Sequence, residues 1–259
     1  MALTIDLKGK VVLITGVSSG IGKAAAEKFA QAGANIVGCA IGEQLPDFES
    51  MGESNGVKAV YIQCDVTKPS DIERLVDSAI EHFGKIDVLV SSAGRNVFKG
   101  AEFCSEEDWM LNQQLNLTSH WQLAKLCQPH LAKSEDGVII IMTSNHGFET
   151  IPGCFPYNVT KTALTGLVRA LAIEWGPQIR TVGIAPGFIQ TPGNDKWFGS
   201  FTDPTAEYER TVNLHPVKRL GTPAEVGAWC VFLASEFSCF ASGTTYLIDG
   251  GRSALMQDS

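Results

Sequence analysis

Seven short, apolar, β-branched runs with longer amphipathic stretches between them constrain this chain more than any other feature. They are Val11–Ile14, Ile36–Val37, Val57–Ile62, Ile86–Val90, Val138–Met142, Thr181–Ala185 and Thr244–Ile248. Runs this uniformly apolar suit strands covered on both faces, the condition of a parallel sheet. Alternation of strand and helix sustained along the chain implies right-handed crossovers and a doubly wound sheet. Three segments signal helix starts: Ser70-Asp71-Ile72-Glu73, Ser105-Glu106-Glu107-Asp108 and Thr222-Pro223-Ala224-Glu225. Each sets a hydroxyl at the cap and an acid three residues on. In the third, Pro223 takes the first helical position, where a missing N–H costs nothing. The expectation is an α/β chain, one domain over residues 1–259, with about seven parallel strands and helices on both faces.

The stretch 187–214 breaks the alternation. It carries Pro192, Gly193, Gly199 and Pro204, with Phe188, Trp197, Phe198, Phe201 and Tyr208 between them. A long irregular loop in a compact domain is commonly a lid over a binding site. The other reading is a surface excursion with a small helix.

Composition removes several classes of function. The net charge of −8 and the absence of clustered Lys and Arg argue against a nucleic-acid surface. No apolar stretch approaches the ~20 residues that span a bilayer, and the polar start Met1–Lys8 does not read as a signal peptide. The seven cysteines are scattered without a Cys-x-x-Cys, which predicts free thiols in a cytoplasmic protein. The five histidines lack metal-ligand spacing, so no metal site is expected.

Two motifs carry chemistry. Directly after the first strand run comes Thr15-Gly16-Val17-Ser18-Ser19-Gly20-Ile21-Gly22, followed by a helical run from Lys23 to Gln31. Glycines at a strand-to-helix turn let backbone N–H groups approach a pyrophosphate, which then sits at the positive end of the helix. The second motif is Tyr157-Asn158-Val159-Thr160-Lys161. One helical turn sets Tyr157 and Lys161 on one face, roughly 6 Å apart along the axis. An ammonium beside a phenol stabilises the phenolate, which predicts a Tyr157 pKa lowered toward neutrality and usable in proton transfer.

With these motifs in order, the chain resembles the classical short-chain dehydrogenase/reductase family over essentially its whole length. Thr15-Gly16-x-x-x-Gly20-Ile21-Gly22 looks like that family's cofactor turn, and Tyr157-x-x-x-Lys161 like its catalytic motif. Ser144, at the end of the Val138–Met142 run, matches the catalytic serine, and Asn116 matches the catalytic asparagine of the fourth helix. Pro186-Gly187 and Thr191 resemble the nicotinamide carboxamide site, Asp65-Val66 the adenine contact, and Ala93-Gly94 the close approach to the cofactor. The resemblance implies a Rossmann-type fold, a homotetramer, and hydride transfer between an alcohol and a carbonyl. In it, Tyr157 exchanges the proton, Lys161 tunes Tyr157 and holds the nicotinamide ribose, Ser144 binds the substrate oxygen, and Asn116 holds a water linking Lys161 to solvent. Ser18 and Ser19 join Gly16, Gly20, Ile21 and Gly22 as cofactor-binding positions.

Two departures stand out. Ser91-Ser92-Ala93-Gly94 replaces the family's Asn-Asn-Ala-Gly, which predicts altered local stability without loss of function. The end of the second strand has Ala40, followed by Ile41, Gly42 and Glu43, where NAD-preferring members place an Asp, and Ser19 stands where NADP-preferring members can offer a base. The choice between NAD and NADP is left open.

On the substrate side, Arg95, Asn145, His146, Glu149 and Trp197 are candidate contacts, with Asn96 and Asn194 nearby. So polar a set, with the later His215-Pro216-x-x-Arg219-Leu220-Gly221, looks similar to members acting on sugars, sugar acids and polyols. The alternatives are a reductase of apolar ketones or 3-oxoacyl thioesters, and a non-catalytic NAD(P)-sensing protein.

Overall fold

The computed structural model describes residues 4–255; Met1-Ala2-Leu3, part of the N-terminal stretch read above, lie outside the described residues. The predicted runs form seven strands: β1 (Val11–Thr15), β2 (Asn35–Ala40), β3 (Ala59–Gln63), β4 (Val88–Ser91), β5 (Gly137–Met142), β6 (Ile179–Pro186) and β7 (Thr245–Ile248). They make one parallel sheet in the order β3-β2-β1-β4-β5-β6-β7. The order reverses between β1 and β4, and in such sheets the crevice beyond the strand ends at that point receives ligands.

Alternating strand residues feed two cores. Val12, Ile14, Ile36, Val90, Ile140 and Ile184 pack on one face with Phe29 of α1 (Gly20–Gln31) and Val226 of α9 (Pro223–Leu233). Leu13, Val37, Leu89, Ile139 and Ile141 pack on the other. There they meet Leu75 of α3 (Pro69–Phe83), Leu123 of α5 (Ser119–Leu131) and Leu164 of α6 (Tyr157–Trp175). Burial on both faces explains why the runs read as continuous apolar stretches rather than as alternation. The remaining helices are α2 (Asp47–Ser54), α4 (Glu106–Gln113), α7 (Pro192–Phe198) and α8 (Pro204–Asn213).

Several sequence expectations change in detail. β3 begins at Ala59 rather than Val57, and β4 at Val88 rather than Ile86. Thr222 forms a full capping box with Glu225, and Ser105 accepts from the Asp108 N–H. Ser70 does not cap α3: Pro69 takes a first-turn position and Lys68 becomes the N-cap. The stretch 187–214 is more ordered than an irregular loop. Thr191 and Asp203 cap α7 and α8, whose first turns carry Pro192 and Pro204. Phe188, Trp197, Phe198, Phe201 and Tyr208 join the two helices in a chain of ring contacts.

Candidate active site

The β1–α1 turn is shaped by close approach. Gly16 (φ +79°) and Gly20 (φ +58°) hold left-handed conformations, and a Cβ at Gly22 would collide with the Gly16 carbonyl. Thr15 Oγ1 accepts from the N–H groups of Ser92 and Ala93, at 3.0 and 2.9 Å, and so locks the end of β1 to the end of β4. Ser19 is the N-cap of α1, yet its side chain makes no capping hydrogen bond, so the first-turn N–H groups stay free for an outside acceptor. A Cβ on Gly20 would stand 3.3 Å from Thr191 Cγ2, which brings the start of α7 over this turn. Pro186 ends β6, and Gly187 has no room for a side chain because Asp249 fills it. Such a cradle fits a pyrophosphate-linked dinucleotide.

The first turns of α6 carry Tyr157 and Lys161, both buried. Lys161 Nζ lies 5.5 Å from the centre of the Tyr157 ring and donates to the Met142 carbonyl at 2.9 Å. Among the described residues that carbonyl is its one hydrogen-bond partner, leaving two ammonium protons for hydroxyls. Ser144, also buried, caps a short turn over Asn145–Gly147 and faces the phenol. The predicted lowering of the phenol pKa is overturned. Burial pushes Tyr157 up to about 12, against a smaller pull from the Ser144 hydroxyl. Burial likewise brings Lys161 down to about 7. Desolvation of two buried groups exceeds the attraction expected from their spacing.

Asn116 is fully buried in a π-helical turn, Gln114–Thr118, between α4 and α5, not in a regular helix. Its Oδ1 accepts from the Arg95 N–H at 3.1 Å, and its Nδ2 donates to the Arg95 carbonyl and to Asn112 Oδ1. Both amide protons are therefore consumed within the chain. Gly94 lies between Asn116 and Lys161, since a Cβ there would meet Asn116 Oδ1 at 2.8 Å and Lys161 Nζ at 3.8 Å.

The predicted substrate residues divide. His146 packs edge-on against the Tyr157 ring at 6.2 Å and against Phe98 at 5.8 Å, and Asn145 is buried beside Ser144. Burial, then the charge of Arg252, holds the His146 imidazole below its usual range. The Arg95 side chain is exposed and acts in this cluster through its backbone. Glu149 is exposed, and Trp197 belongs to the aromatic contacts of α7. The Asp65 carboxylate is engaged by the N–H and hydroxyl of Thr67, and Val66 is buried. At the end of β2, Tyr61 donates to the carbonyls of Ala40 and Gly42, and no ionised side chain supplies either contact.

Sequence reading missed the neighbours that build this environment: Phe98, Asn112, Cys154, and the pair Ser91–His120. Ser91 Oγ and His120 Nδ1 are 2.7 Å apart and buried. The signal was present: Ser91 was an unexplained departure, and His120 follows Asn116 by one helical turn.

The geometry agrees with the comparisons to known proteins. The family model described as Enoyl-(Acyl carrier protein) reductase matches residues 16–253. The chain is 36% identical to L-fucose dehydrogenase of Bos taurus, over 97% of this chain and 92% of that one. Among solved structures, L-sorbose reductase from Gluconobacter frateurii, complexed with NADPH and L-sorbose, superposes with a TM-score of 0.92. It is 31% identical and covers 98% of this chain and 100% of its own. The ligand-free aldohexose dehydrogenase of Thermoplasma acidophilum gives a TM-score of 0.90 at 30% identity, covering 99% of both chains. This chain belongs to the classical short-chain dehydrogenase/reductase family and is an NAD(P)-dependent oxidoreductase.

Proposed function

We propose that the enzyme interconverts a secondary alcohol and a ketone, or a lactol and a lactone, on a small polyhydroxylated compound: a sugar, sugar acid or polyol. The observation that carries this reading is the convergence of Ser144, Tyr157 and Lys161 beside the buried Asn145 and the half-buried His146. Polar groups withdrawn from bulk solvent by burial favour a substrate that brings hydroxyls to meet them. The sugar-type names of the relatives support it.

NAD or NADP would lie with its pyrophosphate on Gly16, Ser18, Ser19, Gly20, Ile21 and Gly22, and its nicotinamide near Pro186, Gly187 and Thr191. Ala93 and Gly94 would pass beneath it, and the backbone at Asp65-Val66 would meet the adenine. Bound there, the cofactor supplies or takes up hydride. Every other step belongs to the chain. In reduction, the protonated Tyr157 gives its phenol proton to the carbonyl oxygen as that oxygen gains charge, and the Ser144 hydroxyl donates to the same atom. Lys161 donates its free protons to the ribose hydroxyls. Asn116 braces Gly94-Arg95 rather than presenting a free carboxamide. The neutral end of β2 discriminates weakly between NAD and NADP.

The aromatic chain from Phe188 to Tyr208 supports a second reading, an apolar ketone or 3-oxoacyl substrate. One experiment separates them: NADH and NADPH oxidation across ketoses, sugar acids and apolar ketones, in parent and Tyr157→Phe enzymes. The proposal expects polyhydroxylated substrates to win in the parent, and Tyr157→Phe to lose on the order of 10²-fold or more in kcat. Preference for apolar ketones sinks the sugar reading; a tenth of the activity surviving in Tyr157→Phe removes Tyr157 from the chemistry. We propose also that the enzyme is a cytoplasmic homotetramer, a location that suits seven free cysteines. No described helix is long and apolar enough to cross a membrane.

A further inference from the structure

The turn after β7 holds an unmatched cation. Asp249 accepts from the N–H groups of Gly251 (3.0 Å) and Ser253 (2.8 Å), which folds residues 249–254 over the carboxyl end of the sheet. Gly250 and Gly251 are left-handed, and a Cβ on Gly250 would stand 3.6 Å from His215 Cδ2. The turn thus lies directly on His215, which is 1% exposed.

Three polar atoms here are buried and have no hydrogen-bond partner among the described residues: Arg252 Nη1, His215 Nε2 and Ser253 Oγ. His215 Nδ1 is 2.8 Å from the Thr211 carbonyl, so it carries the proton and leaves Nε2 as a bare acceptor in the neutral ring. Burial, with the Arg252 charge opposing protonation, keeps that ring neutral. Asp249 of the same turn stands against Gly187, where β6 ends, so the cluster lies at the end of the sheet that carries the cofactor cradle, and the Arg252 charge also lowers His146.

The unmatched atoms specify a ligand. A guanidinium fork matches a planar, two-oxygen anion, and a bare imidazole nitrogen asks for a hydroxyl. Arg252 makes no ion pair among the described residues, whereas the neighbouring Arg210 is held by Glu207 at 2.5 and 2.8 Å, and Asp249 adds negative charge close by. That balance suits a singly charged carboxylate better than a doubly charged phosphate.

We propose that Arg252, His215 and Ser253 form a subsite for the carboxylate and neighbouring hydroxyl of a hydroxy acid, making polyhydroxy acids the substrates favoured over uncharged sugars. This inference rests on the polyhydroxylated-substrate reading and narrows it.

The test uses the purified enzyme, loaded with NAD or NADP, on aldonates of five and six carbons against the matching alditols. In the parent enzyme the aldonates are expected to have the higher kcat/KM. Arg252→Gln should lower the aldonate-to-alditol ratio by about 10–100-fold, and Arg252→Lys should restore part of it. An equal fall on both arms, or a parent enzyme that prefers alditols, overturns the subsite while leaving the sugar reading standing. Turnover of apolar ketones alone overturns both. If Arg252→Gln fails to fold, inhibition of the parent decides: aldonates competing no better than alditols defeats the proposal.

Discussion

Lys161 donates to the Met142 carbonyl at 2.9 Å, tying the first turns of α6 to the carboxyl end of β5. The bond orients an ammonium whose burial is costly. Burial brings Lys161 to about 7, against ~10.4 in an unfolded chain. Between those values the unfolded chain keeps a proton that the folded chain releases, so stability rises with pH across that window. Below about 7 both states are protonated, and the full cost of the buried charge is present. Tyr157, raised to about 12, acts oppositely, lowering stability only as pH climbs above ~10. Lys161→Met should therefore melt several degrees above the parent at about pH 6, with the gap narrowing toward pH ~9, while losing activity. Calorimetry of the cofactor-free proteins at both pH values checks this; a pH-independent gap would show that the folded protein keeps Lys161 protonated.

Cofactor choice should turn on single charges at the end of β2. Ala40 is buried there, whereas Ile41 is 71% exposed. Ala40→Asp is expected to weaken NADP(H) binding by repelling the 2′-phosphate, by about 1–3 kcal/mol. Ile41→Arg should strengthen it by a comparable ion pair. Titration of both cofactors by fluorescence measures the two effects. Unchanged NADP(H) affinity in both variants would place the adenosine ribose elsewhere.

The sheet was legible because its inner strands, β1, β2, β4, β5 and β6, are buried on both faces, so their runs announced themselves without the help of alternation. The π-helical turn around Asn116 was not. Its widened geometry accompanies long-range bonds to the Arg95 backbone, which no local pattern reports. The Tyr157 proton affinity was misread for a related reason: spacing gives distance to Lys161, but burial, which dominates, comes from residues such as Phe98, packed 5.3 Å from the ring. Arg252 and His215 went unjoined because a turn brings together residues far apart in the chain.

Ser91 and His120 should act as one unit. Burial holds the imidazole well below its usual range, so the 2.7 Å contact joins a neutral ring to a hydroxyl. Ser91→Ala strands a buried ring nitrogen and is expected to cost ~1–3 kcal/mol. Adding His120→Leu should recover much of that loss, since replacing both partners leaves nothing unpaired. Urea unfolding of the parent, both single variants and the double variant gives the coupling energy; strictly additive losses would mean that the two side chains do not depend on each other.

Assembly is the remaining test. Of the large apolar side chains on α5, α6 and α9, Leu126, Trp175 and Phe232 pack against the two cores. Trp121 and Trp229 stay exposed, the latter 6.0 Å from Tyr246 of β7. β7 is an edge strand, so its outer backbone groups lack a strand partner, and Leu247 beside them is exposed. An apolar rim around an open sheet edge favours pairing of two copies across β7 and α9, and the proposed tetramer needs a second contact, through α5 and α6. Light scattering at micromolar concentration should return about four times the mass of 27.8 kDa. Trp229→Glu, which sets a charge in the β7–α9 contact, should reduce the assembly to dimers held through α5 and α6. A parent protein that is monomeric at that concentration would refute the interface.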